Sequence, residues 1–455
     1  TGAQGPTGAF TLLEDADADT KIEVEQSADE DIIRFNMGGT EFFSMNNGRI
    51  VVSNTGKSVF LGEGAGPDDD FSDNYSVFVG YQAGYFNTVG AGNTAVGASS
   101  FSFNTTGNFN TATGYQTLFS NATGLSNTAN GSFTMRMNTT GSENTAIGNY
   151  ALFNNTVGIS NTANGFRALE SNVAGAKATA IGSFAMQYAN SSTTPFDSYN
   201  VAVGYEALRG STTSAANTGT SNTAIGFRAL RHNTTGEWNS GFGYQAGDNN
   251  QTGRDLLCLG WNADVANISS SDGTAIGESA TVNSSFKVRI GNTTILTIEG
   301  QVPWSSPSDE RFKFNVNSNV PGLDFITKLN AVTYQFDTKK FDEHLKQNYS
   351  EEKKKEIFGK TDYTESTKIV HTGFIAQDIE RICQELGYDF DGLHSPDPSN
   401  PTDNYSVAYS QFVVPLVKAV QEQQKMIDEL KEQYNISRTE HQRQIDDLKA
   451  LIGEE

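Results

Sequence analysis

Cysteine is almost absent. Cys258 and Cys383 are the two in 455 residues, far apart in unlike surroundings, which excludes a disulfide framework and a cysteine metal site. Basic residues are also scarce, with 31 Lys+Arg against 53 Asp+Glu and a net charge of −22. A chain of that sign lacks the cationic face that phosphate backbones and anionic lipids require, so neither is an expected partner. No apolar run reaches the roughly 18 residues of a membrane span, and no positively headed signal opens the chain. A chain that begins at Thr1 leaves an upstream export segment open. The five histidines (His232, His344, His371, His394 and His441) are scattered without metal spacing, and no cofactor is expected.

Charge is unevenly distributed. Residues 1–74 hold 4 basic and 15 acidic side chains (−11), residues 75–283 hold 7 and 10 (−3), and residues 284–455 hold 20 and 28 (−8), which sum to −22. The middle segment is rich in Asn, Thr, Ala and Gly, yet it keeps the aromatic residues that a disordered linker would lack. It is a repeat. A glycine follows each N-T-A-I-like run, from Gly80, Gly97 and Gly114 onward to Gly277, at steps of 17 residues except two of 22 on either side of Gly204. Seven residues after it stands an Asn (Asn87, Asn104, Asn121) and ten after it a second Gly (Gly90, Gly107, Gly124). Two glycines and a turn-forming Asn mark corners, where positive φ or close backbone approach is needed. Two corners in 17 residues leave two short strands, too little for a helical repeat of about 33–45 residues. The expected fold is mainly β, a parallel β-solenoid (β-roll) with one coil per period.

One coil also bears on assembly. In Asn144-Thr145-Ala146-Ile147-Gly148 the apolar Ala146 and Ile147 point to opposite faces of a strand, and a narrow roll has one interior. The second face therefore calls for another chain. Thr113, Asn130 and Asn164 interrupt that face, either as solvated rungs or as polar contacts that fix register between copies. The aromatics after the repeat glycine (Tyr81, Tyr115, Phe166, Tyr205, Phe227, Tyr244, Trp261) read as core, or as a sugar-binding ladder if they face outward.

These coils resemble the head repeats of trimeric autotransporter adhesins, although the period is longer. The resemblance spans 75–283 and implies a homotrimeric, extracellular, adhesive rod. Before it, Gly2, Gly5 and Gly8 keep a triplet spacing that fits the end of a collagen-like stalk at 1–10. Residues 11–74 read as a small acidic β module, from the alternation at Lys21–Glu25 and Asp31–Phe35. The run Glu14–Asp19 lacks the glycine and the closing glutamate of an EF-hand loop, so solvated strand ends are expected there, and Pro67–Asp70 reads as an acidic surface turn.

After the solenoid, residues 284–307 read as a β neck with strands at Phe286–Gly291 and Thr294–Ile298. Three motifs follow in order: Ser308-Asp309-Glu310-Arg311-Phe312-Lys313, Gly373-Phe374-Ile375-Ala376-Gln377, and Tyr409-Ser410-Gln411-Phe412-Val413-Val414-Pro415-Leu416. Together they resemble the intramolecular chaperone domain of phage endosialidases and tail spikes. The resemblance implies an α+β chaperone at 308–415 that trimerises a fibre, assists its folding and cuts itself off. It implies Ser308 as nucleophile, Lys313 as general base and Pro307–Ser308 as the cleavage site. An offset of five places the pair about 140° apart on a helix and on opposite faces of a strand, so a turn or the assembled context has to join them. The bland alternative makes Ser308-Asp309 a turn or N-cap and Lys313 a solvated lysine. His371 reads as structural, and Glu351–Glu356 as a solvated helix face. Residues 416–455 carry heptad-like apolar positions that shift after Tyr434, which suits a coiled coil with a splayed or folded-back end.

The expected protein is an extracellular homotrimeric adhesin or tail-fibre-like protein, at a cell surface or on a phage- or virion-like particle, that binds a surface glycan or receptor. The alternatives are a polysaccharide-degrading tail-spike-like enzyme and a passive structural spacer. Against degradation, acids are sparse in the coils: Glu143, Glu170, Asp197, Glu206 and Glu237.

Overall fold

The computed structural model describes residues 12–14, 20–24, 32–37, 40–46, 49–53 and 56–453. The chain divides into two compact units, Thr1–Asn292 and Thr293–Glu455. The collagen-like triplets and the acidic runs at 15–19 and 29–31 lie outside the described residues.

The first unit opens with five antiparallel strands in chain order: Leu12–Glu14, Lys21–Val24, Ile32–Met37, Thr40–Asn46 and Arg49–Val52. Phe35 and Phe43 stack across the middle pair, with ring centroids 4.0 Å apart. The acidic turn that follows is only partly a surface feature. Asp69 is buried, and its carboxylate accepts hydrogen bonds from the Phe71 backbone (2.9 Å) and from Asn74 Nδ2 (3.0 Å).

Then comes the solenoid. Fourteen parallel strands stack in chain order from Val59–Leu61 to Val288–Ile290, one rung beyond each end of the 75–283 segment. At about 4.8 Å per rung the ladder is roughly 60 Å long. Register is strict: Ala129 faces Ala146, which faces Ala163. Val288–Ile290 is thus the last rung of the ladder, whereas Thr294–Ile298 forms no strand. An isolated strand without a neighbour to pair with is not stable.

Each regular coil has one three-residue strand, not the expected two. The opposite wall is made of turns that alternate in hand: Gly148 has φ 124°, Tyr150 59° and Leu152 49°. Alternation sends successive N–H groups to different neighbours. Tyr150 N donates to Ser132 O of the preceding coil (3.2 Å), and Leu152 N to Ala168 O of the following one (2.9 Å). Bulky residues at positive φ are costly alone, and here the neighbouring coils hold them in place. The two glycines of the repeat differ. Gly148 needs its positive φ, whereas Gly158 has none and is required by close approach: a Cβ there would lie 2.4 Å from Asn155 Oδ1 and from Gly175 O.

The interior is narrow. It takes the strand alanine (Ala146), an alanine three residues past the repeat glycine (Ala151) and one larger residue after that (Leu152, Leu169, Leu230). Ile147 faces outward and is 42% exposed, in register with Asn130 and Asn164. The aromatics after the glycine are not core, which corrects the reading of them as buried. Tyr81, Tyr115, Phe166 and Tyr205 are exposed, and Phe227, Tyr244 and Trp261 are half-buried. The large core residue sits at glycine plus four, so the aromatic at plus one turns away.

Two columns of buried asparagine fill the rest. In the first, each side-chain amide donates to the Oδ1 of the coil before: Asn121 to Asn104 (3.0 Å), Asn138 to Asn121 (2.7 Å), Asn155 to Asn138 (2.8 Å). In the second, Asn127 donates to Asn110 Oδ1 from both its backbone N (3.0 Å) and its Nδ2 (3.1 Å). Both columns are interrupted beside the 22-residue steps, the second at Ala178 just before Gly182 and the first at Ala189 just after it. There Asn217 donates to Tyr188 O and Ser211 O from an inserted loop, beside a cavity of about 30 Å³ that can hold a single water.

The second unit is α+β. Its helices are α1 (Leu323–Ile326), α2 (Thr338–Leu345), α3 (Glu351–Lys360), α4 (Thr364–Lys368), α5 (Ala376–Leu386) and α6 (Val413–Ile452). Two short hairpins join Val332–Gln335 to Val370–Gly373 and Leu393–His394 to Ser406–Val407. Phe325, Ile379, Ile382, Cys383, Phe390 and Phe412 form the core. The terminal helix α6 runs unbroken for 40 residues and does not fold back, with Leu430, Tyr434 and Leu448 more than half exposed. None of the helices among the described residues is long and apolar enough to cross a membrane.

Replacing Asn138 with Ala leaves partners unpaired in the two adjacent coils and should cost about 1–3 kcal/mol for each buried group orphaned. Asn130→Ala, on the exposed face, should cost far less in urea unfolding of the same protein. Equal losses would show that the column does not hold the coils together.

Candidate active site

The Pro307–Ser308 bond lies in a segment without regular secondary structure that leads into a single 3-10 turn, Glu310–Phe312. The turn is set locally. Asp309 caps it, its carboxylate accepting from the Arg311 backbone N (2.9 Å) and from the Arg311 guanidinium (Nε 3.0 Å, Nη2 2.5 Å). The Arg311 side chain, with the backbone bond second, holds the Asp309 carboxyl below the usual carboxylate range. Phe312 N and Lys313 N close the turn onto the carbonyls of Asp309 (3.2 Å) and Glu310 (3.0 Å).

This turn closes the offset of five. Lys313 Nζ donates to Ser308 Oγ at 2.8 Å. The N-cap and the Ser–Lys pairing are therefore not alternatives: Asp309 makes the turn, and the turn brings Lys313 to Ser308. Both residues are exposed in the chain. So are the large apolar side chains around them: Trp304 is 89% exposed, Phe312 79% and Phe314 85%. His371 is placed elsewhere. Its ring stacks on Tyr334 (5.5 Å) across the hairpin, and among the described residues no hydrogen bond joins it to Ser308 or Lys313.

The other two motifs form one packing unit. A Cβ at Gly373 would lie 2.1 Å from Tyr409 Oη, and that same oxygen accepts from Phe374 N at 3.1 Å. Phe374 also packs on the Phe412 ring (5.3 Å). The terminal helix is tied in by Glu422, whose carboxylate accepts from Leu323 N at the start of α1 (2.8 Å).

Sequence reading missed the buried polar groups of this unit. Lys346 and Asp342 pair one turn apart on α2 and its end, both buried, and Tyr363 Oη donates to Asp342 at 2.8 Å. Burial first, then Asp342, pushes the Tyr363 phenol up. Lys353 is not part of a solvated face. It is buried, with its ammonium 4.8 Å above the Tyr349 ring. Burial raises the Asp403 carboxyl, but the backbone N–H groups of Asp397 and Asn404 and the His394 ring together outweigh it, so the carboxyl sits below its usual range. No spacing rule marks such residues, because their partners come from distant loops. Among the described residues no three His, Cys, Asp or Glu side chains are grouped to hold a metal ion.

Residues 308–388 match the model of a peptidase family described as chaperone of endosialidase. The match begins at Ser308, includes Lys313 and Gly373–Gln377, and stops short of Tyr409. Neither the curated proteins nor the solved structures yield a match. A parallel β-solenoid followed by this domain fits a tail-fibre-like protein with a C-terminal chaperone.

Because the folded Asp403 carboxyl titrates below its unfolded value of about 3.9, its stabilisation is present above about pH 4 and is lost as pH falls through the folded value. The stability gap between wild type and Asp403→Asn should therefore be widest near neutrality and shrink as pH falls below about 4. A gap independent of pH in acid unfolding would exclude this role.

Proposed function

We propose that the chain is an extracellular homotrimeric fibre, built by its endosialidase-type chaperone domain, which then cuts the Pro307–Ser308 bond. One observation carries the processing step: Ser308 Oγ and Lys313 Nζ lie 2.8 Å apart beside that bond. As a neutral amine, Lys313 would accept the hydroxyl proton while Ser308 Oγ adds to the Pro307 carbonyl carbon. As the C–N bond breaks the proton passes to the Ser308 nitrogen, and water opens the resulting ester. A serine hydroxyl needs such a base, and a lysine serves as one only where burial disfavours its charged form. Within one chain both groups are exposed, so the water has to be removed by neighbouring copies. The exposed Trp304, Phe312 and Phe314 supply apolar surface for that contact. Cleavage would then follow assembly.

The outward stripe of the ladder supports three-fold association as well. Ile147, Ile181 and Ile225 are each about two-fifths exposed, the same face along the whole sheet. Exposed runs of this kind mark interaction surfaces. On the rod, the acids favour binding over degradation. Asp197 is engaged by Lys177 and Tyr199 and held below its usual range, and Glu206 is surrounded by three arginines. Neither is placed as a proton donor to a glycosidic oxygen. An adhesive role toward a surface glycan or receptor follows.

Refolded wild type should run as two bands on a denaturing gel and sediment as a trimer, whereas Ser308→Ala and Lys313→Gln each stay at 49.1 kDa. A single wild-type band would remove the cleavage, and a monomer in sedimentation the trimer. Asn130→Ile with Asn164→Ile should keep the coil fold but broaden the distribution of assembled species. An unchanged distribution would assign these two rungs no role in register.

A further inference from the structure

Three of the seven basic residues in the 75–283 segment meet at one carboxylate. Arg209 Nη1, Arg228 Nε and Arg231 Nε lie 2.7, 2.8 and 3.1 Å from Glu206, which is 7% exposed, while the arginines keep 23, 27 and 25%. One buried negative charge thus sits under three part-exposed positive ones, an excess of two on a chain that is otherwise strongly acidic. Arg209 is also held by Gln187 Oε1 (3.1 Å) and Tyr188 Oη (3.4 Å), which leaves Arg228 and Arg231, one guanidinium more than Glu206 needs.

The same place carries an aromatic array. Arg228 lies 4.9 Å over the Phe227 ring, and Arg209 lies 5.1 Å over Tyr188. From there the rings stack nearly parallel, one per coil: Tyr205 on Phe227 (5.4 Å, 12°), Phe227 on Tyr244 (4.9 Å, 10°) and Tyr244 on Trp261 (6.3 Å, 20°). At the coil position of Arg228, the next two coils place Gln245 and Asn262. Gln245 Oε1 and both amide atoms of Asn262 are buried without a hydrogen-bond partner among the described residues. The repeat also breaks here, since the two 22-residue steps flank Gly204. Insertions in solenoids map to one face, often the binding face.

We propose that this cluster and ring array form a binding site for an acidic polysaccharide, a proposal that rests on reading the rod as a binding element. Pyranose rings offer C–H faces to aromatic side chains, and an anionic substituent takes the paired guanidinium groups. A carboxylate on the sugar and a sulfate ester share that chemistry. Single-stranded nucleic acid also uses rings and cations, but it brings a phosphate at every nucleotide. The next coils instead carry Glu237, Asp248 and Asp255. The site suits one anionic group on a sparsely charged chain.

The test is calorimetric titration of the full chain with a polyuronate oligosaccharide, a sulfated glucan, a neutral glucan and oligothymidylate. Arg228→Gln, Arg231→Gln and the distant Arg136→Gln are compared, with melting and sedimentation run on each. The proposal expects an acidic glycan to bind, with affinity about tenfold lower in Arg228→Gln and Arg231→Gln and unchanged in Arg136→Gln, at unaltered melting and sedimentation. Binding confined to the polyuronate or to the sulfated glucan identifies the anionic group. Tighter binding of oligothymidylate overturns the proposal. So does wild-type affinity in both cluster variants, and so does a changed sedimentation with no glycan bound by wild type, which would make the cluster a contact between copies. A neutral glucan bound equally by all four proteins overturns this site but leaves the rod a glycan binder. No glycan bound at all overturns this site and leaves the rod's adhesive reading to a non-glycan receptor.

Discussion

From Gly107 to Gly175, and again at Gly236 and Gly253, the carbonyl of the second repeat glycine accepts two amide hydrogen bonds, one from each asparagine column. Gly141 O takes Asn138 Nδ2 at 2.9 Å and Asn127 Nδ2 at 2.8 Å, and Gly158 O takes Asn155 and Asn144 at 3.0 and 2.9 Å. This shared acceptor joins two corners of a coil to each other and to the coils on either side. It also explains the small core. With amides filling both corners, the space left takes alanine and one larger residue per coil, so apolar burial per residue stays modest and polar satisfaction sets the register. A slip of a single residue would strand every amide in both columns, at about 1–3 kcal/mol for each buried group left unpaired. Such a structure tolerates one spacing only.

The same constraint bears on folding. A coil can satisfy its amides only after a second coil, 17 residues away, is in place, so contacts that are costly to close come before those that reward closure. A separate folding unit relieves that difficulty if it forms early and holds chains in parallel. The C-terminal unit has what this needs: a compact core around Phe325, a helix of 40 residues anchored by Glu422, and apolar side chains along that helix left in water. Under the proposed function the exposed stripe of the ladder and the exposed helix face would both be covered by association, since neither is covered among the described residues.

Much of this architecture was legible because a strict period leaves its mark on every seventeenth residue. The repeat glycine, the parallel stacking and the outward Ile147 follow from spacing and from strand alternation. What did not follow is instructive. Two strands per coil were expected, because a wall of bulky residues alternating in backbone hand has no compositional signature: Tyr150 and Leu152 are ordinary residues held at positive φ by their neighbours. The aromatics were read as core because large apolar residues usually are. The signal that corrects this is present in Gly226-Phe227-Arg228-Ala229-Leu230, where the alanine and leucine repeat on the inner positions and leave the ring outside. The asparagine four residues before the glycine was passed over as part of a motif, although it forms the second column. At the candidate site, the motif order located Ser308 and Lys313 and Asp309 was readable as a cap, whereas it shows only in three dimensions that this cap, braced by Arg311, joins the pair.

That turn separates two requirements of the proposed chemistry that commonly arrive together. Geometry is local: six consecutive residues bring Lys313 Nζ to 2.8 Å from Ser308 Oγ with no help from elsewhere in the fold. Dryness is not local, because nothing in residues 308–313 buries either group. A pair preset in position but left in water has Lys313 Nζ as hydrogen-bond donor and Ser308 Oγ as acceptor, the reverse of what a general base needs. Reversing that polarity takes only the removal of solvent, which is what apolar surface around Trp304 and Phe314 would do on meeting its counterparts. Under the proposed function the chain therefore carries its own assembly sensor. The nucleophile and base are positioned in each copy, and the step that arms them is the same burial that completes the fibre.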